Sequence, residues 1–183
     1  MKKLNFGCGY DIKPGFVNAD FIKTSKEVIE VDFSKFPYPF DKNEFDEIHA
    51  YGVLEHFGET REEFKNVIKE LIRITKTGGQ WFITVPHDTN PSFYGEFHRT
   101  MFHWRSFHYR LTNPQTEIYK DLEVIKRKHI FIKLLFWNFL IMPIVNLFPK
   151  FYENTCLRYL FPCQALYFEI RVKKSGFSQD KNE

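Results

Sequence analysis

The chain has 183 residues, a formal net charge of +3, and 43% hydrophobic and 27% charged residues. This length and composition predict one folded domain and exclude a disordered chain. A charge of +3 is too small to indicate nucleic-acid binding, and no basic stripe carries aromatics at a motif spacing. The three cysteines match no zinc spacing. With a polar N-terminus and no signal-peptide pattern, they favour a cytoplasmic protein.

Aromatic residues and charge are unevenly distributed along the chain. Of the 34 aromatic residues, 19 lie in residues 93–168. Residues 1–92 carry a net charge of −3, whereas residues 93–183 carry +6. A codon bias toward Phe would explain a high aromatic content but not this distribution. The two parts of the chain are therefore built differently.

The first part alternates between short apolar runs and loops. Its predicted strands are residues 3–6, 15–20, 27–32, 45–51 and 80–86. Before the last of these, Thr60 and Glu63 have the spacing of a helix capping box, and apolar residues follow at helical intervals to Ile72. The pair Gly78-Gly79 predicts the end of that helix.

The order of these elements indicates the fold class. Strands that alternate with helices predict an α/β protein with a Rossmann-like, mostly parallel sheet and helices on both faces. In the second part, residues 122–125 and 164–172 are the predicted last strands. An aromatic helical insertion is expected before the final strand.

Glycines and acids follow the predicted strands of the first part. Gly7 and Gly9 come directly after the first strand, where a missing Cβ lets a ligand approach the backbone. Asp20 and Asp32 end the next two strands, at the same expected edge of the sheet. One carboxylate there can accept ribose hydroxyls and the other an exocyclic amine. No P-loop lysine and no third fingerprint glycine follow, which favours a nucleoside ligand without a pyrophosphate. A tight turn with two unrelated loop acids is the alternative.

These motifs resemble those of small class I SAM-dependent methyltransferases, the methyltransferase-type-11-like group. The similarity runs in unbroken order through residues 3–88 and includes the runs Leu4–Gly9 and Gly15–Asp20, Asp32-Phe33 with Pro37 and Pro39-Phe40, the run Val53–Phe57, and Gly78-Gly79 with the strand to Pro86. One departure stands out. Only ten residues separate Gly9 from Asp20, so the family's first helix is expected to be short or missing.

The resemblance implies S-adenosyl-L-methionine (SAM) as the cofactor. Its methionine and ribose portion would contact Gly7, Cys8 and Gly9. Asp20 would hold the ribose hydroxyls. Glu30 is the alternative if the shortened segment shifts the register.

The resemblance also assigns the two ends of the cofactor. Asp32 would accept the adenine amine, with Phe33 beside the ring. The segment that starts at Tyr51 would close over the methionine end.

Candidate catalytic residues are Glu55, His56 and His98. Methyl transfer from a sulfonium is a direct displacement, so the protein mainly has to hold the acceptor in line. A general base is required only where the acceptor loses a proton. His56 could take that proton while Glu55 orients the ring, and the resemblance places His98 and Arg99 toward the acceptor. Support of a loop or helix is the alternative for Glu55 and His56, and packing of an aromatic-rich helix on the sheet is the alternative for the His98 segment.

Other histidines give weaker signals. His98, His103 and His108 recur at steps of five, which do not share one helix face, and we predict no metal site from them. The pair His87-Asp88 follows the fifth strand at the cofactor edge, where a solvated loop pair is the favoured interpretation.

Residues 130–148 form an interrupted apolar segment that follows the basic cluster 126–128. A spanning helix is disfavoured by Lys133, two asparagines and Pro143. A helix on a membrane surface would fit the basic flank. The favoured interpretation is a helical pair that packs on the sheet and roofs the acceptor pocket.

The sequence thus predicts a SAM-dependent methyltransferase with a small-molecule, glycan-linked or lipid-linked acceptor. The expected organisation is one domain over residues 1–183, with a cofactor half (1–92), an acceptor cover with the last strands (93–175) and a polar tail (176–183). An inactive SAM-binding or partner subunit and a membrane-surface module are the alternatives. Peripheral contact with the inner face of the membrane would use residues 126–148.

Overall fold

The computed structural model describes residues 1–90, 97–108, 114–132 and 136–174. The strands are β1 (Lys3–Phe6), β2 (Val17–Asp20), β3 (Val28–Glu30), β4 (Phe45–Tyr51), β5 (Thr75–Pro86), β6 (Leu122–Ile130) and β7 (Ala165–Val172). The helices are α1 (Arg61–Ile74), α2 (Asn138–Leu147), α3 (Pro149–Glu153) and α4 (Leu157–Leu160), with 3-10 turns at Leu54–His56 and Pro114–Tyr119.

The strands form one seven-stranded sheet in the order β3-β2-β1-β4-β5-β7-β6. The first five strands pair in parallel, and β7 is antiparallel to both β5 and β6. The predicted α/β class with a mostly parallel sheet is confirmed. Because β1, β2, β4 and β5 run in the same direction, their carboxyl ends meet at one edge of the sheet.

Helix α1 begins as predicted but ends earlier. The Glu63 N–H donates to the hydroxyl of the N-cap Thr60 at 3.1 Å. The helix ends at Ile74 rather than at the glycine pair, because Thr75 turns to extended backbone (ψ 140°) and its hydroxyl donates to the Leu71 carbonyl at 2.6 Å.

The pair Gly78-Gly79 lies instead within β5, where the register between β4 and β5 is irregular. Gly78 has a φ of +83°, within a register shift between β4 and β5. A Cβ on Gly79 would lie 2.6 Å from Thr75 Cγ2 and 3.0 Å from the Asp46 carbonyl oxygen. The glycines therefore allow a close approach of two strands, which sequence spacing alone did not reveal.

Helices were expected on both faces of the sheet. Among the described residues of the parallel half, helix α1 covers one face. The buried face of the central strands includes Trp81, Ile83 and Phe168, which share a core with α1. On the opposite face, His49 and Phe82 are only half-buried. Helices on that face would come from the β1–β2 and β2–β3 connections, and both are too short to hold one.

Loop 10–16 occupies the place of the missing first helix, as the short spacing predicted. The buried Asn5 amide donates to Asn18 Oδ1 at 2.9 Å and to the Asp11 carbonyl at 2.7 Å. The Lys13 N–H donates to Asn18 Oδ1 at 3.0 Å. Two asparagines thus hold the loop against β1 and β2.

The second part differs from the predicted roof. Strand β6 extends to Ile130, so the basic cluster 126–128 belongs to the sheet and not to a helix. Helices α2–α4 build a separate small core around Val145, Tyr152 and Cys163. In the described part of the chain no helix is long and apolar enough to cross a membrane.

Candidate functional site

A cavity of about 680 Å³ opens at the carboxyl edge of the sheet. It lies beside the ends of β1, β2 and β4. Its lining residues are Gly7, Gly9, Asp20, Phe21, Asp32, Phe33, Ser34, Gly52, Val53, His56, Phe57, Glu63, Phe97 and Arg99. The predicted residues Gly7, Gly9, Asp20, Asp32, Phe33 and His56 are among them. None of the described residues of α2–α4 lines this cavity, so the predicted roof over an acceptor pocket finds no support here.

The glycine loop after β1 is shaped by two different needs. Gly7 has a φ of +68°, and a Cβ there would lie 2.3 Å from Val53 Cγ2. Gly9 has a φ of +52°, but a Cβ there would meet nothing within 4 Å. Gly7 therefore permits close packing of the loop on Val53, whereas Gly9 leaves open space toward the cavity.

Asp20 ends β2 and is tied to the same loop. Its carboxylate accepts the Gly9 N–H at 2.8 Å and the Ile22 N–H at 3.1 Å. The alternative acid, Glu30, pairs with Asp20 across β2 and β3 but does not line the cavity. The geometry therefore favours Asp20 over Glu30 as the acid at the ligand.

Asp32 and Phe33 form the next part of the cavity wall. The Ser34 hydroxyl donates to Asp32 at 2.6 Å and Lys35 Nζ lies 2.9 Å from its carboxylate. These contacts, first that of Ser34, lower the pKa of Asp32 to about 2, so the group is an ionised acceptor at neutral pH. Phe33 is buried against Phe6, with ring centroids 4.2 Å apart.

Two predicted cofactor residues lie elsewhere. The buried Cys8 side chain is not on the cavity wall, and its thiol lies 3.7 Å from the Gly9 carbonyl. The Tyr51 ring lies on the half-buried face of the sheet, where Lys13 Nζ is 4.2 Å from its centroid and its hydroxyl is 3.1 Å from His49 Nδ1. The alternation of side chains along β4 turns Tyr51 away, and Gly52 with Val53 lines the cavity instead.

Glu55, His56 and His98 come together at one end of the cavity. One ligand atom from each lies within 4.8 Å of the others. His56 lines the cavity, and its Nδ1 is 3.1 Å from the Phe97 carbonyl oxygen. Glu55 is buried, its Oε2 has no hydrogen-bond partner in the described residues, and burial raises its pKa. The predicted pair and His98 are therefore neighbours, although only His56 faces the cavity.

Residues that the sequence did not single out complete the wall, notably Phe21, Phe57, Glu63 and Phe97. Glu63 was recognised only as a helix cap, and its carboxylate also accepts the Glu59 N–H at 2.8 Å. Phe21 and Phe57 follow the predicted Asp20 and His56 directly. Adjacency to a predicted residue was the available signal for these two.

His87 and Asp88 do not form a solvated pair. His87 is completely buried, and its Nε2 lies 3.0 Å from Glu153 Oε1. His129 Nε2 lies 2.7 Å from the same oxygen. Among the other histidines, His103 and His108 are exposed, in a stretch whose described residues 97–108 contain no helix.

The matched family and the fold agree on the class of protein. Residues 4–83 match the family model described as a methyltransferase domain. No curated protein matches the chain in sequence.

Solved structures with this fold include several methyltransferases. A SAM-dependent methyltransferase from Archaeoglobus fulgidus is 16% identical, with a TM-score of 0.61 over 93% of this chain and 85% of that chain. The YcgJ protein of Bacillus subtilis is 14% identical, with a TM-score of 0.57 over 96% and 92%. The N-methyltransferase NodS of Bradyrhizobium japonicum, in complex with S-adenosyl-L-homocysteine, is 13% identical, with a TM-score of 0.54 over 93% and 77%. At these identities the likeness shows a shared fold.

The match over residues 4–83, which is less than half of the chain, and the fold are consistent with a class I SAM-dependent methyltransferase. Together they support an enzyme that uses SAM as its cofactor. The resemblance seen in residues 3–88 is thereby confirmed.

Proposed function

We propose that the protein transfers the methyl group of SAM to a lipid-linked acceptor at a membrane surface. The part of this proposal that concerns SAM rests on the cavity and on the acids that line it. The acceptor class rests on one observation, a group of large apolar side chains exposed within residues 136–160. A soluble small-molecule acceptor is the competing outcome.

The cavity offers the groups that SAM requires. The open space at Gly9 leaves the loop backbone accessible to the methionine and ribose portion. Asp20 would accept the ribose hydroxyls and the ionised Asp32 the adenine amine, beside Phe33. When bound, SAM supplies a methyl group on a sulfonium. The chain's own task is then to hold the acceptor in line and to exclude water.

His56 is suited to accept a proton from the acceptor. The short contact of its Nδ1 with the Phe97 carbonyl favours a proton on Nδ1, which leaves Nε2 as the basic atom of the neutral ring. The neighbouring Glu55 and His98 can stabilise the imidazolium that forms. This role applies where the acceptor is a hydroxyl.

The insertion is the segment between β6 and β7. Its apolar face, as we call it, consists of ten large side chains that are each more than half exposed: Phe136, Trp137, Phe139, Leu140, Ile144, Leu147, Phe148, Phe151, Tyr159 and Leu160. Soluble monomers rarely expose so many apolar groups in one region. Trp, Phe and Leu are the residues that interfacial helices insert below lipid headgroups.

The lysines near the apolar face, and the position of that face at the sheet edge, favour a lipid surface as its binding partner. Lys150, between Phe148 and Phe151 in sequence, is exposed, as are Lys126 and Lys128 on the neighbouring β6, where Lys126 pairs with Glu169. Ala165, at the start of β7, pairs with both Pro86 and Ile130, so the insertion meets the sheet at its carboxyl edge. Docking of the apolar face would therefore bring the edge that holds the cavity close to the membrane.

The cofactor site is tested by calorimetric titration of SAM into wild type, Asp20→Asn and Glu30→Gln. We expect Asp20→Asn to weaken binding about tenfold or more, because a charged acceptor is lost, and Glu30→Gln to bind as wild type. Equal loss in both variants, or no loss in either, would overturn the assignment of Asp20. Binding without turnover would favour the SAM-binding subunit over the enzyme.

The acceptor class is tested by flotation with vesicles that contain phosphatidylglycerol, and with vesicles of phosphatidylcholine alone. We expect wild type to float with anionic vesicles, and Leu140→Ser/Leu147→Ser to remain in solution. Ile22→Ser/Ile29→Ser is the matched control, since those side chains are exposed away from the insertion. Equal flotation of all three proteins, or self-association without lipid binding, would reject the membrane surface.

A further inference from the structure

A second polar cluster lies apart from the cofactor cavity, where the insertion meets the sheet. It consists of His87 after β5, His129 in β6 and Glu153 in α3, and we call it the histidine–glutamate cluster. Both imidazoles are at most 1% exposed. One ligand atom from each of the three residues lies within 4.8 Å of the others. None of the three lines the cofactor cavity.

The donor set is that of a transition-metal site. Two imidazole Nε2 atoms converge on one carboxylate oxygen, Glu153 Oε1, at 3.0 Å from His87 and 2.7 Å from His129. Two histidines and one carboxylate are a frequent set for Zn²⁺, and a fourth position is left for water. The ligands come from three separate elements, so the fold assembles the set.

The partners of His87 Nδ1 are compatible with a metal on Nε2. Nδ1 lies 3.0 Å from Asp88 Oδ1 and 2.7 Å from the Thr89 hydroxyl oxygen. A metal on Nε2 would leave the proton on Nδ1, which would donate to one of these oxygens. Without a metal, a doubly protonated ring would donate from Nε2 to Glu153 and from Nδ1 to Asp88. Metal-bound imidazoles are commonly held by such a carboxylate.

The position of the second imidazole is fixed by packing. The His129 ring stacks on Trp104, with centroids 4.5 Å apart and planes 4° from parallel. Its edge lies against Tyr152, at 5.1 Å between centroids. A ring held on two sides presents Nε2 to Glu153 without the cost of ordering it on binding.

The charges around the cluster are mixed. Arg158 contacts both the Asp88 and the Glu153 carboxylates, and Arg105 and Lys150 line the adjoining cavity. A divalent ion would therefore be held by its three ligands and not by a surplus of negative charge.

An ion can reach the cluster from solvent. A cavity of about 240 Å³ lies next to it and is lined by His103, Arg105, Lys150 and Arg158 as well as by Asp88 and Glu153. The Glu153 carboxylate is therefore accessible on one side.

We propose that His87, His129 and Glu153 bind one divalent transition-metal ion, of which Zn²⁺ is the best match, and that the ion ties the insertion to the ends of β5 and β6. The competing explanation is a hydrogen-bond network that holds the same elements together without an ion. The second trio, Glu55, His56 and His98, borders the cofactor cavity and serves as the comparison site.

The test is titration of the full chain, freed of metal with a chelator, with Co²⁺ as a spectroscopic probe and Zn²⁺ as a competitor. We expect one equivalent of Co²⁺ to give a visible d–d band that Zn²⁺ removes, and Zn²⁺ to raise the melting temperature. Glu153→Gln and His129→Gln should each weaken binding about tenfold or more, because each removes a ligand. His98→Ala and His103→Ala should bind as wild type.

The possible results separate the two explanations. Absence of a d–d band in wild type, with no effect of Zn²⁺ on melting, would leave only a hydrogen-bond network and overturn the proposal. A band that is lost in His98→Ala would move the site to the cofactor cavity. A thiolate-to-cobalt band would assign the ion to cysteine. The Co²⁺ band and the effect of Zn²⁺ on melting are measured on wild type. The proposal can therefore be rejected even if a variant fails to fold.

Discussion

The cofactor half and the insertion place opposite kinds of side chain on their surfaces at the same sheet edge. In the cofactor half, Phe6 and Phe33 are buried while Asp20 and Asp32 face an open cavity. Where the insertion meets the sheet, His87 and His129 are buried against Glu153, while insertion residues such as Phe139 and Leu147 face outward. The first arrangement turns charged groups toward solvent. The second leaves apolar area uncovered, which is why we assign it an external surface to bind.

The largest expected change in unfolding free energy comes from a substitution in the glycine loop after β1. Gly7→Ala adds a Cβ that meets Val53 and also forces an unfavourable φ, so we expect a loss of about 3 kcal/mol of unfolding free energy. Gly15→Ala is the control, because its φ is +77° but nothing lies within 4 Å of the added Cβ. Urea unfolding measures both variants. Equal losses would mean that backbone strain, and not packing on Val53, requires Gly7.

A smaller change in unfolding free energy is expected when the pH is lowered, because Glu153 in the insertion becomes protonated. Burial opposes ionisation of Glu153, but hydrogen bonds from His129 and His87 lower its folded-state pKa to about 2 from 4.5. Its contribution is therefore present above about pH 4.5 and is lost as the pH falls toward 2. In the chelator-treated protein, Glu153→Gln should lower stability at pH 7 by on the order of 1 kcal/mol and flatten the acid limb of the stability profile.

The matched control for that profile is Glu123→Gln, because Glu123 is a partly exposed acid at the beginning of β6 that pairs with Arg171 and Lys173. We expect it to keep the wild-type acid limb. An unchanged acid limb in Glu153→Gln would show that the buried cluster does not hold the insertion to the sheet.

The smallest effect on stability is expected on the apolar face. Leu140 and Leu147 are 65% and 71% exposed, so Leu140→Ser/Leu147→Ser removes little buried area. We expect a change in unfolding free energy within about 0.5 kcal/mol and unchanged SAM affinity. Chemical denaturation and calorimetry measure the two quantities. A large loss of stability would mean that the face packs within the protein and is not a docking surface.

The strands and the acids of the cofactor half were predictable because each has a local signal. An acid at a strand end, such as Asp20, reaches the sheet edge whenever the strand is assigned correctly. The end of α1 was predicted too late. The Thr75 hydroxyl ends the helix by donating to the Leu71 carbonyl, whereas the prediction relied on Gly78, three residues later. Tyr51 was misplaced for a similar reason, since one residue along β4 reverses the direction of a side chain.

The insertion was less predictable because its contacts are distant in sequence. His87, His129 and Glu153 lie 24 to 66 residues apart, and no spacing motif connects them. A long apolar segment also gives no indication of which side is buried until its neighbours are known. The uneven distribution of aromatics and charge was the only sequence signal that set this part of the chain apart.

The most direct test of the account is transfer of the labelled methyl group of SAM to extracts of cells, separated into an organic and an aqueous phase. The account predicts label in the organic phase. Asp20→Asn should abolish this label, and Leu140→Ser/Leu147→Ser should reduce it when the lipids are in vesicles. Label confined to water-soluble products, and equal in wild type and Leu140→Ser/Leu147→Ser, would contradict a lipid-linked acceptor.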